Sequence, residues 1–382
     1  INAEVFIGGS FAKKTLIKKD YYDIDIFLRF DKKYSDSEMS KASAKALKKF
    51  KNVSLTHGSR DYFRIKITPN FLIELIPVKK INNPGEAENI TDLSYSHVNY
   101  IKKRIKREKI LDEIKITKAF AHGCGCYGAE SYIKGFSGYG LELLVYHYKG
   151  FLGFIRAVAK MKIEKKEIID IEKDYKNKQE VMIDINSSKL FSPIVLVDPT
   201  YKSRNVLAAL SEETFRKFQK ACREFLKNPS IKAFETKEID IEKIKERAEK
   251  NKQEFVSVKI TTEKQEGDVA GSKLLKFYNY LDCEIKKDFD IKNKGFDYRG
   301  EKYAEIFFAV KLKKEILFDG PHMNDKKHVS DFKKHHKRTF IKGKRIFARE
   351  QAPKDLKRFL HNWKNKNSRR MKEMYIKKLE ID

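Results

Sequence analysis

At 382 residues with 41% apolar content, the chain is long enough for two or three domains with well-formed cores. Lys and Arg number 83 against 54 Asp and Glu, and the net charge of +29 far exceeds what solubility requires, which points to a polyanionic partner. No apolar run approaches the ~18 residues of a transmembrane helix and no signal peptide is visible, so a cytoplasmic protein with no membrane partner is expected. Four cysteines, of which only Cys124 and Cys126 are close, argue against a disulfide framework and read as reduced, buried thiols; the nearby His122 does not complete a zinc set.

In chain order, Ile1 falls where EVFIGG reads as a strand into a turn, so the N-terminus is expected to be incomplete, with a preceding helix missing. DIDIFLRF predicts a strand, SDSEMSKASAKALKKF an amphipathic helix opened by Ser and Asp caps, and YFRIKI and FLIELIP two more strands. Val78 to Asp92, with Asn82, Asn83, Pro84 and Gly85, predicts an exposed loop. Helical periodicity then dominates to about Phe234, through KRIKREKILDEIKITKAFAHG and GLELLVYHYKGFLGFIRAVAK. Beyond Glu235 the order is strand (FVSVKI), helix (AGSKLLKFYNYLDCEI) and two strands (GFDYRG, YAEIFFAVKL), half of a ferredoxin-like fold. From Pro321 onward 20 Lys or Arg face 7 acids, concentrating the basic surface there. The expected division is 1–95, 96–235, 236–320 and a basic tail at 321–382.

The chemistry lies near the start. Residues two apart on a strand face one side, so Asp23 and Asp25 present both carboxylates to one point while Ile24 and Ile26 enter the core. Hard oxygen ligands suit Mg2+. Glu74 interrupts a second apolar strand and is a candidate third carboxylate of a two-metal clamp. Upstream, Gly8, Gly9 and Ser10 form a small-residue turn, with Lys13 and Lys14 where a helix would begin; amides, a hydroxyl and a lysine there can cradle a triphosphate.

A Gly-Ser turn, then an acid-x-acid strand, then a lone acid on a later strand resembles the nucleotidyltransferase superfamily, the head shared by DNA polymerase beta, poly(A) polymerases and CCA-adding enzymes. DEIKITKAFAHGCGCYGAE, YIKGFSGYGLELLVYHYKGF and VDPTYKSRNVLAALS narrow this, because they look like the central domain of archaeal, class I CCA-adding tRNA nucleotidyltransferases. The resemblance covers most of the chain, including GPHMNDKKHVSDFKKHH, and weakens after about Glu350. It implies a multidomain α+β protein: a polymerase-beta-like head with a mixed sheet and helices, a mainly helical central domain, and a ferredoxin-like α+β module with a basic helical tail.

The resemblance also assigns residues. Asp23 and Asp25 match the family's metal-binding pair, and Glu74 falls on a third acid that is usually Asp. Ser10 matches a phosphate-contacting serine beside Gly9. Lys13 stands where Arg is common, a point charge in place of a bidentate fork. His97, Lys118 and Tyr127 match contacts to triphosphate and ribose, and Arg204 matches the arginine that reads the incoming base together with RNA phosphates. The implied reaction adds C, C and A to the tRNA 3′ end from CTP and ATP, with two Mg2+ ions, no template and pyrophosphate as product. The implied partner is tRNA, held at its acceptor stem and T arm, and a homodimer is left open. A poly(A) polymerase or A-only adder, and a non-catalytic tRNA-binding protein, are the alternatives. For His97, Lys118 and Tyr127, ordinary readings as a packed surface residue, a solvated charge and a core aromatic stand beside the functional ones; for Arg204 the ordinary reading is a salt bridge.

Overall fold

The computed structural model describes residues 2–18, 22–236 and 239–382. The chain forms two compact units, Ile1–Lys237 and Glu238–Asp382, and both are α+β. Among the described residues no helix is long and apolar enough to cross a membrane.

The first unit opens with strand β1 (Ala3–Ile7), a single helical turn α1 (Gly9–Ala12) and β2 (Tyr22–Phe30). Helix α2 (Asp36–Ala46) starts at Ser35, whose side chain accepts from the Glu38 amide while the Glu38 carboxylate accepts from the Ser35 amide at 2.8 Å. That reciprocal pair satisfies two donors that a helix start leaves open. β3 (Val53–Thr56), β4 (Tyr62–Thr68) and β5 (Phe71–Lys79) complete a mixed sheet in the order β1-β2-β5-β4-β3, with β2 and β5 parallel and the other pairs antiparallel. Leu47, Phe63, Ile65 and Leu75 form its small core, against which Ile26 and Leu28 pack.

The stretch predicted as an exposed loop at 78–92 is only partly one. Val78 and Lys79 end β5 and are buried, and Asp92 is buried too, accepting from the Lys79 amide at 2.8 Å and from the Arg60 guanidinium. Turn-forming residues marked the loop, but a buried ion pair between distant residues leaves no local signal.

Helices α3 (Ser94–Arg104), α4 (Glu108–Gly123), α5 (Gly138–His147) and α6 (Phe151–Lys160) follow. Each of the two long helical stretches is broken. The second breaks where Lys149 and Gly150 take positive φ of 60° and 134°, the left-handed region in which glycine carries no Cβ penalty. Next come β6 (Glu167–Ile169), α7 (Lys178–Asp184), β7 (Ile194–Asp198), β8 (Tyr201–Asn205) and α8 (Glu212–Lys227). The three strands form a sheet within what was expected to be mainly helix. All five residues of β7 are buried, and a short continuous apolar run carries no period to separate strand from helix. Phe120 of α4 meets Phe151, Phe218, Phe225 and Phe234 edge to face, with centroids 5.4–5.6 Å apart, and this cluster fixes α4 against α6 and α8.

In the second unit, α9 (Ile241–Lys250) and β9 (Glu254–Thr262) lead to α10 (Asp268–Asp288), β10 (Phe289–Asp297) and β11 (Tyr303–Leu312). β12 (Glu315–His322), α11 (Lys326–His335), β13 (Thr339–Lys342) and β14 (Arg345–Gln351) come next, then α12 (Leu356–Lys366), α13 (Ser368–Glu373) and β15 (Ile376–Ile381). One antiparallel sheet runs β10-β11-β9-β15 and another β12-β14-β13. The boundary expected at 320 therefore falls inside β12, and β15 pairs with β9, more than a hundred residues earlier. Leu356, Leu360 and Trp363 of α12 join the core under the larger sheet. The Lys-rich composition of this segment hid an apolar face spaced at helical intervals.

Candidate active site

The turn between β1 and β2 builds one wall of the site. The Gly8 amide donates to the Asp25 carbonyl at 2.9 Å, which ties the turn to β2. Gly9 has φ +59°, and a Cβ placed there would lie 1.6 Å from Asp25 Oδ2. Only glycine lets the backbone pass so close to that carboxylate. The Thr15 amide closes the turn by donating to the Ser10 carbonyl at 2.9 Å.

Ser10, Lys13, Asp23, Asp25, Lys118 and Tyr127 line one cavity, together with Gly138 and Glu142 of α5. Its floor is a buried charge network. Glu142 is fully buried; its Oε2 accepts from Lys13 Nζ at 2.7 Å, and its Oε1 accepts from Lys118 Nζ at 2.7 Å and from the Thr15 hydroxyl at 2.6 Å. Lys118 Nζ also donates to Thr15 Oγ1 at 2.9 Å and to the Thr15 carbonyl at 3.2 Å. Burial alone would push the Glu142 carboxyl up, but Lys118 and Lys13 outweigh it and hold the group down at about 2, so it is ionised at neutral pH. The Tyr127 phenol is pushed up by burial and by nearby Glu142, Asp23, Glu130 and Asp25, so it keeps its proton and can donate.

A second cluster gathers on Asp198, the last residue of β7. Asp198 Oδ2 accepts from Arg204 Nη1 at 2.5 Å and from His97 Nε2 at 2.9 Å. Its Oδ1 accepts from the Thr200 amide and hydroxyl at 2.9 and 2.8 Å and from the Tyr139 phenol at 3.3 Å. Burial opposes ionisation of Asp198, but the His97 hydrogen bond, the Arg204 charge and the Thr200 amide keep its carboxyl well below the usual range. Burial lowers His97, against the pull of Asp198, so its neutral form donates through Nε2. His97 stacks on Tyr139 at 4.1 Å, and Lys13 Nζ lies 5.6 Å from the Tyr139 ring centre, so Tyr139 bridges the two clusters.

Glu74 sits apart. It is in register with Asp25 on the neighbouring parallel strand, yet its Oε1 accepts from Arg64 Nε at 2.8 Å and it does not line the cavity. Among the described residues no three His, Cys, Asp or Glu side chains gather to hold a metal ion.

The profile for the second domain of tRNA nucleotidyltransferases matches residues 112–235, which take in most of α4, all of α5, and Asp198 with Tyr139, Thr200 and Arg204 but not His97. The CCA-adding enzyme of Methanocaldococcus jannaschii is 31% identical over 356 residues, covering 90% of this chain and 77% of that enzyme. The chain belongs to the CCA-adding enzyme family. The family's member from Nanoarchaeum equitans is 42% identical over 214 residues, 56% of this chain, and that alignment spans about half (52%) of its length. Among solved structures, the Cid1 poly(U) polymerase with Mg and 3′-dATP bound covers 62% of this chain and 87% of its own at 15% identity and a TM-score of 0.48.

Of the residues matched to the family's site from sequence, six share the cavity, Gly9 shapes its rim, His97 and Arg204 meet on Asp198, and Glu74 pairs with Arg64. Five polar participants escaped the sequence reading: Thr15, Tyr139, Glu142, Asp198 and Thr200. The two acids did carry a signal, since each interrupts or ends an apolar run, GLELLVY and IVLVD, where an unpaired charge is costly.

Proposed function

We propose that this chain is a template-independent CCA-adding tRNA nucleotidyltransferase that adds C, C and A from CTP and ATP. The observation that carries this reading is the convergence of Asp23, Asp25, Ser10, Lys13 and Lys118 on one cavity in a chain of the CCA-adding family. The two carboxylates suit a hard divalent cation: both are hard oxygen donors that line the cavity, and the missing Cβ of Gly9 gives the Asp25 carboxylate its room. Magnesium usually takes one or two carboxylates plus substrate phosphate oxygens, so a pair suffices. When bound, Mg2+ would neutralise phosphate charge and lower the pKa of the attacking 3′-hydroxyl. Glu74, paired with Arg64 and away from the cavity lining, is not needed for the Asp23 and Asp25 pair to hold the cation.

The rest of the chemistry belongs to the chain's own groups. The RNA 3′-oxygen forms a bond to the α-phosphorus as the bond to the β-phosphate oxygen breaks, and the hydroxyl proton leaves. The Ser10 hydroxyl, the Tyr127 phenol and the Lys13 and Lys118 ammonium groups hold the phosphates and stabilise charge on the departing pyrophosphate. Arg204, aimed by Asp198, reads the base together with RNA phosphates, and His97 borders triphosphate and ribose. Residues 1–95 act as the catalytic head and 96–235 as the nucleotide-reading region. The cationic surface toward the C-terminus holds the acceptor stem and T arm through phosphate contacts, which position without specifying sequence.

The test incubates the protein and Mg2+ with tRNA transcripts ending before CCA, after C and after CC, with CTP and ATP separately and together. Three ordered additions that then stop support the proposal. Adenylation alone favours an A-adding enzyme, and binding without addition favours a non-catalytic RNA-binding protein.

A further inference from the structure

We propose that Glu142 is a positioning residue whose carboxylate holds the ammonium groups of Lys13 and Lys118 on the cavity wall, ready for the phosphates of the incoming nucleotide. The inference rests on reading the cavity as a triphosphate site. A lysine is a compact charge on a flexible stem, and without a fixed partner it loses rotamer entropy each time it meets a ligand. Here the partner is built in: one carboxylate, fully buried, reaches both ammonium groups at 2.7 Å, and the Thr15 hydroxyl locks its Oε1 from a third side at 2.6 Å.

The donor count shows how a ligand fits. Among the described residues Lys13 gives one N–H to Glu142, and the other two N–H groups of the ammonium lie beside the cavity. Of the bonds that Lys118 makes to Thr15 and Glu142, the longest, 3.2 Å to the Thr15 carbonyl, is the one a phosphate oxygen would replace at least cost. Stability does not explain the arrangement, because well-packed apolar residues in place of a buried ion network are often as stable or more so. Three charged groups kept together on a cavity wall therefore point to work on an anion.

The test measures binding of Mg2+-tripolyphosphate to the full chain by calorimetry, for the wild type, Glu142→Gln and Thr15→Val. Glu142→Gln keeps the shape and turns an amide N–H2 toward one lysine. It should weaken binding about tenfold or more, the range for a lost hydrogen bond to a charged group. KM for CTP and ATP should rise together, while the Kd for tRNA stays put. Thr15→Val leaves all three charges in place and should weaken binding about threefold, less than the loss of the carboxylate charge itself. If Glu142→Gln does not fold, Thr15→Val decides alone: weaker binding supports the proposal and unchanged binding overturns it. Unchanged or tighter binding in Glu142→Gln overturns it as well, the tighter case making Glu142 a competing internal anion. A wild type that binds no tripolyphosphate removes the triphosphate reading itself and the inference with it.

Discussion

Asp198→Asn probes the link between His97 and Arg204, the side chains proposed to border and read the nucleotide, and the rest of the first unit. The substitution preserves shape, and its remaining oxygen can still accept from Thr200 and Tyr139. Its amide group, however, confronts Arg204 Nη1 and His97 Nε2, which both donate to Oδ2 in the native site. His97 can answer by changing tautomer and accepting from the new amide. Arg204 cannot, because a guanidinium has no acceptor. Breaking a fully buried ion pair costs about 3–5 kcal/mol. Arg204 is 20% exposed and can turn partly to water, so the smaller cost of a charged hydrogen bond, about 2 kcal/mol, is expected. Urea unfolding should follow circular dichroism, since the single tryptophan, Trp363, belongs to the second unit. With Arg204 unaimed, kcat/KM for CTP and ATP should fall together by about a hundredfold, as for a misplacement of ~1 Å. A midpoint change worth less than about 0.5 kcal/mol with intact kinetics would refute the reasoning.

Gly9→Ala should cost about 1–2 kcal/mol for the left-handed backbone, and it must also push the Asp25 carboxylate away. The expected signature is a raised Mg2+ requirement for nucleotide addition, and an unchanged Mg2+ titration would count against the role of this turn. Stability should also depend on His97. The fold favours its neutral form, so as pH falls through about 6.5 the unfolded chain takes up the proton first and stability drops, until the folded imidazole titrates at lower pH. Urea midpoints at successive pH values from 8 to 5 should show this slope, and His97→Gln should flatten it; identical slopes in both proteins would contradict the assignment.

Asp23 and Asp25 were legible because strand geometry is local: a period of two puts both acids on one face whatever the rest of the fold does. The Ser35 helix start was legible for the same reason, its partner Glu38 being three residues away. Glu142 and Asp198 were not, because part of what compensates them comes from far along the chain, 129 residues for Lys13 and 101 for His97, although Arg204 lies only six residues beyond Asp198. Until the fold supplies those partners, an acid inside an apolar run reads only as a local conflict. Glu74 shows the reverse case. Its strand and side were readable, but its partner depends on the register between β4 and β5, which sets Arg64 directly opposite. The resemblance matched Arg204 to a base-reading role, and its salt bridge to Asp198 also occurs. The ordinary reading of Arg204 therefore holds, and the proposed base-reading role would use this same bridge to aim the side chain.

The most direct test of the central claim compares wild type and Asp25→Ala in single-turnover addition of CMP and AMP to a tRNA transcript lacking CCA, with tRNA affinity measured on the same samples. The account predicts Mg2+-dependent addition of all three nucleotides by the wild type, and none by the variant at undiminished tRNA affinity. Addition by Asp25→Ala at the wild-type rate would contradict it, because the carboxylate pair on β2 would then have no part in the chemistry.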